Sequence, residues 1–314
     1  MILRLIKLAL KLGVLGAAAG VLLGLFGQLH PAFDTIAHGR FHFGVCLMIG
    51  AIGAIVFRAK EYAVISLLFG ILGLFLSYNG TILAKPNEST AAGQPVHTAL
   101  HFNLLFNNER QSEFIKTAIA ADPVFISVTE AGPLWDQSLK TFSDKWPHVF
   151  HCPEFGKRGG IKIFSKWRFE TGMSECGVFG SLAKVSVVAP DNKPMDLILV
   201  HSRWPWPASG PKQLDANLPI LKKTAKDALA TGDFNATTWS YALQKFASAS
   251  GMNITPGIGP TWVLDEPVIN SWFWAGLPID NVLSKGRVRV ISAETLSPMG
   301  SDHLPIKVKF QITE

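Results

Sequence analysis

The sequence predicts a membrane-anchored α+β protein, in which three spanning helices precede one large domain of mixed β-sheets and helices. Three observations lead to this prediction. Long apolar runs fill the first 80 residues, strand-like and helical patterns alternate from about residue 98 onward, and the composition changes sharply between these two parts. Only 17% of the residues are charged, against about 25% in ordinary soluble proteins. Neither a disordered chain nor a fully soluble one is expected.

Residues 1–78 predict a three-helix membrane anchor. The runs 12–27, 41–57 and 62–78 contain no Lys, Arg, Asp or Glu. Each run reaches the roughly 17–25 residues of a spanning helix once its apolar flanks are counted. Glycines recur every three or four residues in these runs, and such small residues let helices approach closely in lipid.

The first apolar run has a second interpretation as a secretory signal peptide, because Arg4, Lys7 and Lys11 precede it and it contains three alanines at 17–19. Those alanines lie inside the run, and two more runs follow, so an uncleaved anchor is favoured. Basic loops stay on the cytoplasmic side. The basic N-terminus and the basic turn at 58–60 therefore predict that the later domain faces away from the cytoplasm.

Residues 79–97 predict a linker, because they mix Gly, Pro, Ser, Thr and Asn without a sustained period. The net charge of +6 is distributed unevenly, since the first 80 residues carry +4 of it. In a protein that binds nucleic acid, the excess positive charge is expected on the domain that makes the contact. The basic balance thus gives little support to a nucleic-acid partner.

Residues 98–314 predict a single large domain in which short strands alternate with helices. Hairpin-like and crossover-like connections both occur, which favours mixed sheets over a purely parallel sheet. The predicted strands are 99–106, 124–128, 160–165, 183–188, 197–201, 282–283, 288–292 and 306–310. The predicted helices are 108–120, 213–228 and 240–249.

A carboxylate and a carboxamide, Asp233 and Asn235, follow an apolar run at 228–230. In extended chain, residues two apart point the same way, so the two side chains can converge. Asp233 could orient and deprotonate a water while Asn235 donates to an oxyanion. An Asx turn leading into the next helix explains the same pair equally well, and both interpretations stay open.

Other polar residues lie at predicted strand ends. Glu130 follows the strand at 124–128 and suits a divalent cation. His201 ends the strand at 197–201, and Asp302 and His303 occupy the turn before the last strand. Each alone has an ordinary structural explanation. Glu130 could be a solvated carboxylate and His201 a structural histidine, and adjacent Asp and His residues such as Asp302 and His303 are common. Their combination in one chain is the stronger indication.

The order of these motifs resembles the endonuclease/exonuclease/phosphatase superfamily, the fold of deoxyribonuclease I. The resemblance is carried by the segments HFNLLFNN at 101–108, TE at 129–130, GGIKIFSK at 159–166, LVH at 199–201, GDFN at 232–235, IDNVL at 279–283 and GSDHLP at 300–305. It covers residues 98–314, and the anchor ahead of it looks like that of a bacterial membrane-bound branch. With the predicted orientation, this implies a protein of the bacterial inner membrane whose catalytic domain faces the periplasm or the exterior. The resemblance implies a four-layer α/β sandwich with two mixed sheets flanked by helices.

The resemblance also implies a divalent cation, Mg²⁺ or Mn²⁺. Asn103 and Glu130 match the residues on the metal side, with Glu130 as the principal ligand. Asp302 matches a metal-side or supporting carboxylate. A cation at this position neutralises the charge that develops during phosphoester hydrolysis.

The catalytic roles follow from the same resemblance. Asp233 matches the acid that orients or activates the attacking water, and Asn235 matches the amide that holds a phosphoryl oxygen. His303 matches the imidazole that touches the phosphate, with Asp280 as its orienting partner. His201 matches the second catalytic histidine. Such donors stabilise the transition state of phosphoryl transfer.

These assignments predict a metal-dependent hydrolase that cleaves a phosphodiester and is either nuclease-like or phospholipase C-like. Two alternatives remain: a phosphomonoesterase acting on a headgroup or soluble phosphate, and a non-catalytic binding module. The expected partners are a phosphoester (nucleic acid, phospholipid headgroup or inositol phosphate) and the bilayer around residues 1–78. No feature of the sequence calls for an obligate protein partner.

Candidate substrate contacts lie near His201. Arg203 and Arg158 could contact a phosphate, although each also fits a solvated surface cation. Trp204, in the aromatic cluster at 204–206, and a second cluster at 272–274 could stack on bases or lie among lipid headgroups. Packing inside the domain or against the anchor explains these aromatic residues equally well.

The three cysteines show no metal-site or nucleophile pattern. Cys46 lies within the second apolar run and is expected to be a small packing residue. Cys152 and Cys176 flank the strand at 160–165 and would face an oxidising compartment, where a disulfide between them is compatible with the predicted topology.

Overall fold

A computed structural model describes residues 1–86, 90–154, 158–263 and 276–313 of the chain. Its N-terminal part consists of the helices α1 (Ile2–Leu23), α2 (Pro31–His38), α3 (Arg40–Val56) and α4 (Lys60–Ser77). With their short extensions, α1 and α4 are long and apolar enough to cross a membrane. Helices α2 and α3 meet at a 56° bend. Among the described residues, two helices are thus long and apolar enough to span a membrane, or three if the bent pair forms one span.

Helix α2 lies in the region that the sequence predicted as the loop between the first two spans. Its start has ordinary signals, because Pro31 occupies the first helical position and the His30 ring accepts a hydrogen bond from the Ala32 N–H at 3.1 Å. At eight residues it is too short to span a bilayer. It connects the ends of α1 and α3 on one side of the helix bundle.

Glycines bring the anchor helices together, as their spacing predicted. A Cβ atom added to Gly44 of α3 would lie 3.0 Å from the backbone nitrogen of Leu74 in α4, and one added to Gly70 would lie 2.9 Å from the Met48 sulfur. Val14 of α1 packs against Gly50 of α3. Close backbone contact at small residues is typical of helix pairs that pack in lipid.

The remainder of the chain forms two six-stranded mixed sheets. The first has the order β11-β12-β1-β2-β4-β3 and the second β5-β6-β7-β8-β10-β9. Only β1/β2 and β7/β8 are parallel among the described pairs. The strands are β1 (His97–Asn103), β2 (Phe125–Thr129), β3 (His148–Cys152), β4 (Ile161–Ser165), β5 (Phe169–Cys176), β6 (Leu182–Val188), β7 (Pro194–His201), β8 (Ala228–Asp233), β9 (Asn253–Ile254), β10 (Asp280–Lys285), β11 (Val288–Thr295) and β12 (Ile306–Ile312).

The two sheets stack face to face, and helices cover their outer faces. Apolar residues of both sheets, such as Phe125, Val185 and Leu199, share the central core. Helices α5 (Gln111–Ala121) and α6 (Pro133–Leu139) pack on the outer face of the first sheet. Helices α7 (Gly210–Lys222) and α8 (Tyr241–Ser250) pack on that of the second sheet. The predicted four-layer α+β sandwich is confirmed.

Several elements differ from the prediction. The helix predicted over 213–228 ends at Lys222, and Ala228 already begins β8. Between them, the buried Asp227 carboxylate accepts hydrogen bonds from the backbone N–H and the Nε of Arg287. Strand β5 was missed since its residues are largely polar and do not alternate with apolar ones. Strand β3 and helix α6 were also missed. The predicted linker contacts the domain, where the Gln311 side chain binds the backbone of Ala91 and Gln94, while the boundaries at 78/79 and 97/98 stay predictions.

Cys152 and Cys176 form a disulfide, as the sequence analysis had allowed, and Cys46 is free. Cys152 ends β3 in the first sheet and Cys176 ends β5 in the second. The bond therefore ties the two sheets together at one edge of the sandwich. It closes a loop of 24 residues, which restricts the unfolded chain.

Replacing both bridge cysteines with serine (Cys152→Ser with Cys176→Ser) is expected to lower the free energy of unfolding by about 3 kcal/mol, because the unfolded chain regains its loop entropy. Denaturant unfolding of the full chain in detergent measures the change. Cys46→Ser is the matched control and should leave the stability nearly unchanged. Equal stability of the double variant and the control would show that the bridge does not stabilise the domain.

Candidate active site

Strand pairing brings polar residues from both sheets to one edge of the sandwich. Asn103 ends β1, and Glu130 directly follows the parallel strand β2. In the second sheet, His201 ends β7 beside Asp233 at the end of the parallel strand β8. Because Asp280 begins the antiparallel strand β10, it pairs directly with Asp233. Residues over 170 positions apart are thus assembled by sheet topology alone.

The turn before β12 reaches the same edge. Strand β12 runs antiparallel to β1, so its first residue, Ile306, pairs with His101 near the end of β1. Asp302 and His303 immediately precede that strand. The Ser301 hydroxyl donates a hydrogen bond to the Asn103 carbonyl at 2.7 Å and fixes the turn against β1.

These residues surround one open cleft of about 310 Å³. Every predicted site residue except Asp280 lines this cleft. Asp280 is buried behind His303. The lining residues are Asn103, Glu130, Glu154, Arg158, His201, Ser202, Arg203, Trp204, Ala208, Asp233, Asn235, Trp262, Asp302 and His303. The aromatic cluster predicted at 272–274 lies outside the described residues.

A buried acid–imidazole chain forms the floor. The Nδ1 atom of His303 is 2.6 Å from Asp280 Oδ2, and the other oxygen of Asp280 is 3.3 Å from His101 Nε2. His101 Nδ1 continues to the Ser127 hydroxyl at 3.2 Å. Sequence analysis included His101 in a motif without giving it a role, since only the fold shows that β1 and β10 approach each other.

The charges of this chain are mutually stabilised. Burial would by itself lower the pKa of His303, but the carboxylates of Asp280 and Asp233 outweigh it and raise that pKa to about 10. Burial would raise the pKa of Asp280, but His303 and His101 hold it well below its ordinary range. His303 is therefore an imidazolium at neutral pH, and its Nε2 atom faces Asp233 and the cleft.

Asp233 lies between the two cleft histidines. Its Oδ2 atom is 3.8 Å from the Nε2 atoms of both His201 and His303 and accepts a 3.0 Å hydrogen bond from Asn103 Nδ2. The side chain is only 1% exposed. Burial raises the pKa of this carboxyl above its ordinary value, and the neighbouring His303 offsets the rise only in part. Such a carboxyl is a better proton acceptor than a solvated one.

The structure shows the Asx turn of the Asp233–Asn235 pair, and the catalytic interpretation of the pair stays a prediction. Asp233 Oδ1 accepts the Asn235 N–H at 2.8 Å, which is an Asx turn, and both side chains also line the cleft. The Asn235 amide donates to Ser202 O at 2.7 Å and to Asp233 Oδ2 at 3.1 Å. Its two amide protons are thus engaged by the protein, and contact with a phosphoryl oxygen stays a prediction.

His201 is held by acids on two sides. Its Nδ1 atom is 3.6 Å from Glu154, and its Nε2 atom is 3.7 Å from Glu130. Burial disfavours the charged ring, but Glu154 and the charges of Asp233 and Glu130 outweigh it, so the pKa of His201 is raised. Glu154 was missed because it lies in the irregular loop after β3, where no sequence pattern distinguishes it from a surface acid.

Glu130 adopts a backbone conformation that is uncommon for its residue type. Its φ is +54°, in the left-handed region that costs a non-glycine residue free energy and that is found most often at functional sites. Glu130 Oε2 accepts a hydrogen bond from the Phe106 N–H at 3.3 Å, while Oε1 is 3.7 Å from Arg158 Nε. The strained turn directs this carboxylate into the cleft.

Aromatic residues form the opposite wall. Trp262 Nε1 donates to Asp302 Oδ2 at 3.1 Å, and its backbone forms a bridge with His303. The ring of Trp204 meets that of Trp262 edge to face, with centroids 6.3 Å apart. Trp262 was not predicted as a site residue, because only its long-range pairing places it beside the SDHLP turn.

The donor set suits a hard divalent cation. The carboxylates of Glu130 and Asp302 and the amide of Asn103 all face the cleft and offer oxygen ligands, which Mg²⁺ and Mn²⁺ prefer. Within the described ranges, the one group of three metal-type ligands with mutually close atoms is Asp233, Asp280 and His303. Since Asp280 is already bonded to both His303 and His101, this group is better suited to stabilising a charged imidazole than to binding a metal ion.

Comparison with solved structures confirms the fold. An endonuclease/exonuclease/phosphatase from Bacteroides vulgatus has a TM-score of 0.56 at 14% identity, covering 70% of this chain and 100% of that one. D. rerio TDP2 complexed with single-strand DNA product has a TM-score of 0.54 at 15% identity, with 68% and 98% coverage. A Staphylococcus aureus beta toxin mutant with bound magnesium ions has a TM-score of 0.51 at 12% identity, with 70% and 100% coverage.

Sequence comparison gives two further results. A search of curated proteins finds no significant match. The model of the endonuclease/exonuclease/phosphatase family matches residues 100–303, which is more than half of the 314 residues and contains every predicted site residue. The strand ends, the cleft and this match together show that the chain belongs to the endonuclease/exonuclease/phosphatase family.

Proposed function

We propose that this protein is a membrane-anchored phosphodiesterase that uses a divalent metal ion and an activated water. The observation that carries the proposal is the position of Asp233, a buried carboxylate with an imidazole 3.8 Å away on each side in an open cleft. A proton acceptor next to two proton donors is the arrangement that hydrolysis requires. Membership of the family and the magnesium ions in the beta toxin structure support it.

Each residue has a role in this proposal. Asp233 orients a water and accepts its proton as the water oxygen bonds to phosphorus. The charged ring of His303 donates a hydrogen bond to a phosphoryl oxygen, and Asp280 keeps the ring charged and oriented. The bond from phosphorus to the ester oxygen breaks, and that oxygen takes a proton from His201. The products are an alcohol and a phosphomonoester.

Glu130, Asp302 and Asn103 would hold the metal ion. When bound, Mg²⁺ or Mn²⁺ neutralises negative charge on the phosphoryl group. Arg158 and Arg203, about half exposed at the rim, supply further positive charge for the substrate. Helix α2, which lies between the C-terminal end of α1 and the N-terminal end of α3, binds the domain through Asp34. The basic N-terminus and the turn at 58–60 lie at the other ends of α1 and α3. Because basic segments stay cytoplasmic, this arrangement supports a periplasmic position for the domain.

Asp233→Asn is expected to reduce hydrolysis of bis(p-nitrophenyl) phosphate by about 100- to 10,000-fold, because the proton acceptor is lost. Release of p-nitrophenol by the full chain in detergent measures the rate. Asp144→Asn, at an exposed acid outside the cleft, is the matched control and should retain full activity. If hydrolysis needs no metal and Asp233→Asn does not change its rate, the activity comes from a contaminating hydrolase. The domain would then be a non-catalytic binding module.

Removal of divalent ions with EDTA should abolish the activity, and Mg²⁺ or Mn²⁺ should restore it. Glu130→Gln should raise the half-saturating metal concentration by about tenfold or more, because a charged oxygen ligand is lost. Metal titrations of the rate and of heat release by calorimetry measure this shift. Glu113→Gln, at an exposed acid paired with Arg110, serves as control. Identical titrations for Glu130→Gln and the wild type would remove Glu130 from the metal site.

Asp280→Asn should move the alkaline limb of the pH–rate profile to lower pH. His303 must be protonated in the proposed mechanism, and the raised pKa of about 10 keeps it so through neutral pH. Without the Asp280 charge that pKa falls, and activity is lost as the pH rises through a lower value. The profile of kcat/KM between pH 6 and 10.5 measures the limb. An unshifted alkaline limb would mean that His303 does not act as a cation.

A further inference from the structure

The catalytic domain is fastened directly to its membrane anchor. The Asp34 carboxylate of α2, only 2% exposed, accepts hydrogen bonds from the backbone N–H groups of Tyr241 at 2.5 Å and Ala242 at 3.0 Å at the start of α8. The Trp239 indole N–H donates to the Ala37 carbonyl at 2.6 Å. Buried charged hydrogen bonds of this kind resist separation. The domain therefore has a defined position above the spanning helices.

This attachment reaches the rim of the cleft. The His38 ring of α2 meets the Trp204 ring edge to face at 5.0 Å, and Trp204 lines the cleft. The Thr35 hydroxyl exchanges hydrogen bonds with the backbone of Trp206 at 3.1 and 3.2 Å. Because α2 joins the ends of α1 and α3, the cleft rim rests on the surface of the helix bundle. The cleft consequently opens beside the level at which a bilayer surface would lie.

A second cavity, of about 260 Å³, lies between anchor and domain. Its walls are almost entirely apolar and come from the start of α3, the segment after α4, and the domain. Leu83, Trp239 and Pro260 are among the residues that line it. Two of its lining residues, Ile82 and Leu83, are 58% and 71% exposed. They lie just after Lys60–Gly80, a helical stretch long and apolar enough to span a membrane. Apolar surface of this kind is stable only when something apolar covers it.

The apolar cavity and the cleft share one wall. Pro260 lines the cavity, and Trp262, two residues on, lines the cleft. Two residues of chain span at most about 7 Å. Between them, the Thr261 hydroxyl accepts a hydrogen bond from the Asp280 N–H at 2.9 Å. The shared wall therefore also holds the backbone of Asp280, the partner of His303. A molecule with an apolar chain next to a phosphate could occupy both spaces at once.

We propose that this cavity binds one acyl chain of a bilayer phospholipid and so presents the phosphodiester of that lipid to the cleft. The proposal rests on the proposed function for its catalytic part. The exposed apolar residues Ile82 and Leu83, just beyond a candidate membrane span, select an acyl chain as the occupant. The two-residue link from Pro260 to Trp262 sets the attached phosphate near the cleft. Arg158 and Arg203 at the rim carry the charge that a lipid phosphate requires.

Binding is tested without turnover. The Asp233→Asn protein is reconstituted in phosphatidylcholine vesicles whose acyl chains are either brominated or unmodified. The quenching of tryptophan fluorescence by bromine is then measured for this protein and for a second protein that also carries Leu83→Asp. Trp239 lines the cavity, so quenching should be clearly weaker once a carboxylate occupies its mouth. Val96→Asp, at a 52% exposed apolar residue away from the cavity, is the matched control and should quench like the parent. Equal quenching in all three proteins would overturn the acyl-chain site.

Activity then distinguishes the two proposals. With Asp233 intact, Leu83→Asp should lower the ratio of kcat/KM for vesicle phospholipid to kcat/KM for bis(p-nitrophenyl) phosphate at least tenfold, while Val96→Asp keeps the wild-type ratio. Hydrolysis of the soluble diester or of a DNA oligonucleotide, but not of phospholipid, by the wild type would overturn the lipid substrate and leave the phosphodiesterase intact. Failure to hydrolyse any diester would overturn the proposed function, and the quenching result would still decide the cavity.

Discussion

The buried contact between His303 and Asp280 is the interaction on which the rest of the site depends. Moving either charge from water into the interior costs several kcal/mol, which only a well-placed opposite charge and additional hydrogen bonds can repay. Here the two atoms are 2.6 Å apart, and His101 Nε2 lies 3.3 Å from the other carboxylate oxygen of Asp280. The Asp280 backbone N–H donates to the Thr261 hydroxyl. The result is a fixed positive imidazole directed at the place where a phosphate would bind.

The residues that make and surround the His303–Asp280 contact come from both sheets. Asp280 comes from the second sheet and His101 from the first, while His303 follows a turn pinned to β1 by Ser301. The mixed topology, with one parallel pair in each sheet, directs the ends of β1, β2, β7 and β8 to the same edge. The disulfide between β3 and β5 links the same two sheets elsewhere. Fold and catalytic geometry are therefore set by the same sheet-to-sheet packing.

Much of this arrangement could be predicted from the sequence, because motif residues at strand ends are local features. Asp233, Asn235 and the SDHLP turn were recognisable from short patterns, and the three apolar runs from hydropathy. Glu154, His101 and Trp262 were not, because their roles come from contacts with residues far away in the chain. Strand β5 was missed because it is polar, and α2 because eight residues inside a predicted loop give a weak periodic signal. Packing of Trp204 against the N-terminal helices was one of the alternatives that the sequence left open, and the structure shows it. The part played by α2, and its contact with α8, could not be read from any pattern.

The most direct test of this account is the ionisation of His303 in the intact protein. NMR of the full chain with labelled histidine rings, reconstituted in nanodiscs and assigned by comparison with His303→Gln, measures it. The charged contact with Asp280 predicts a ring that is still protonated at pH 8.5 and that titrates near pH 10. A ring that loses its proton near pH 6.5, the ordinary value for histidine, would contradict the charged floor and the mechanism that rests on it.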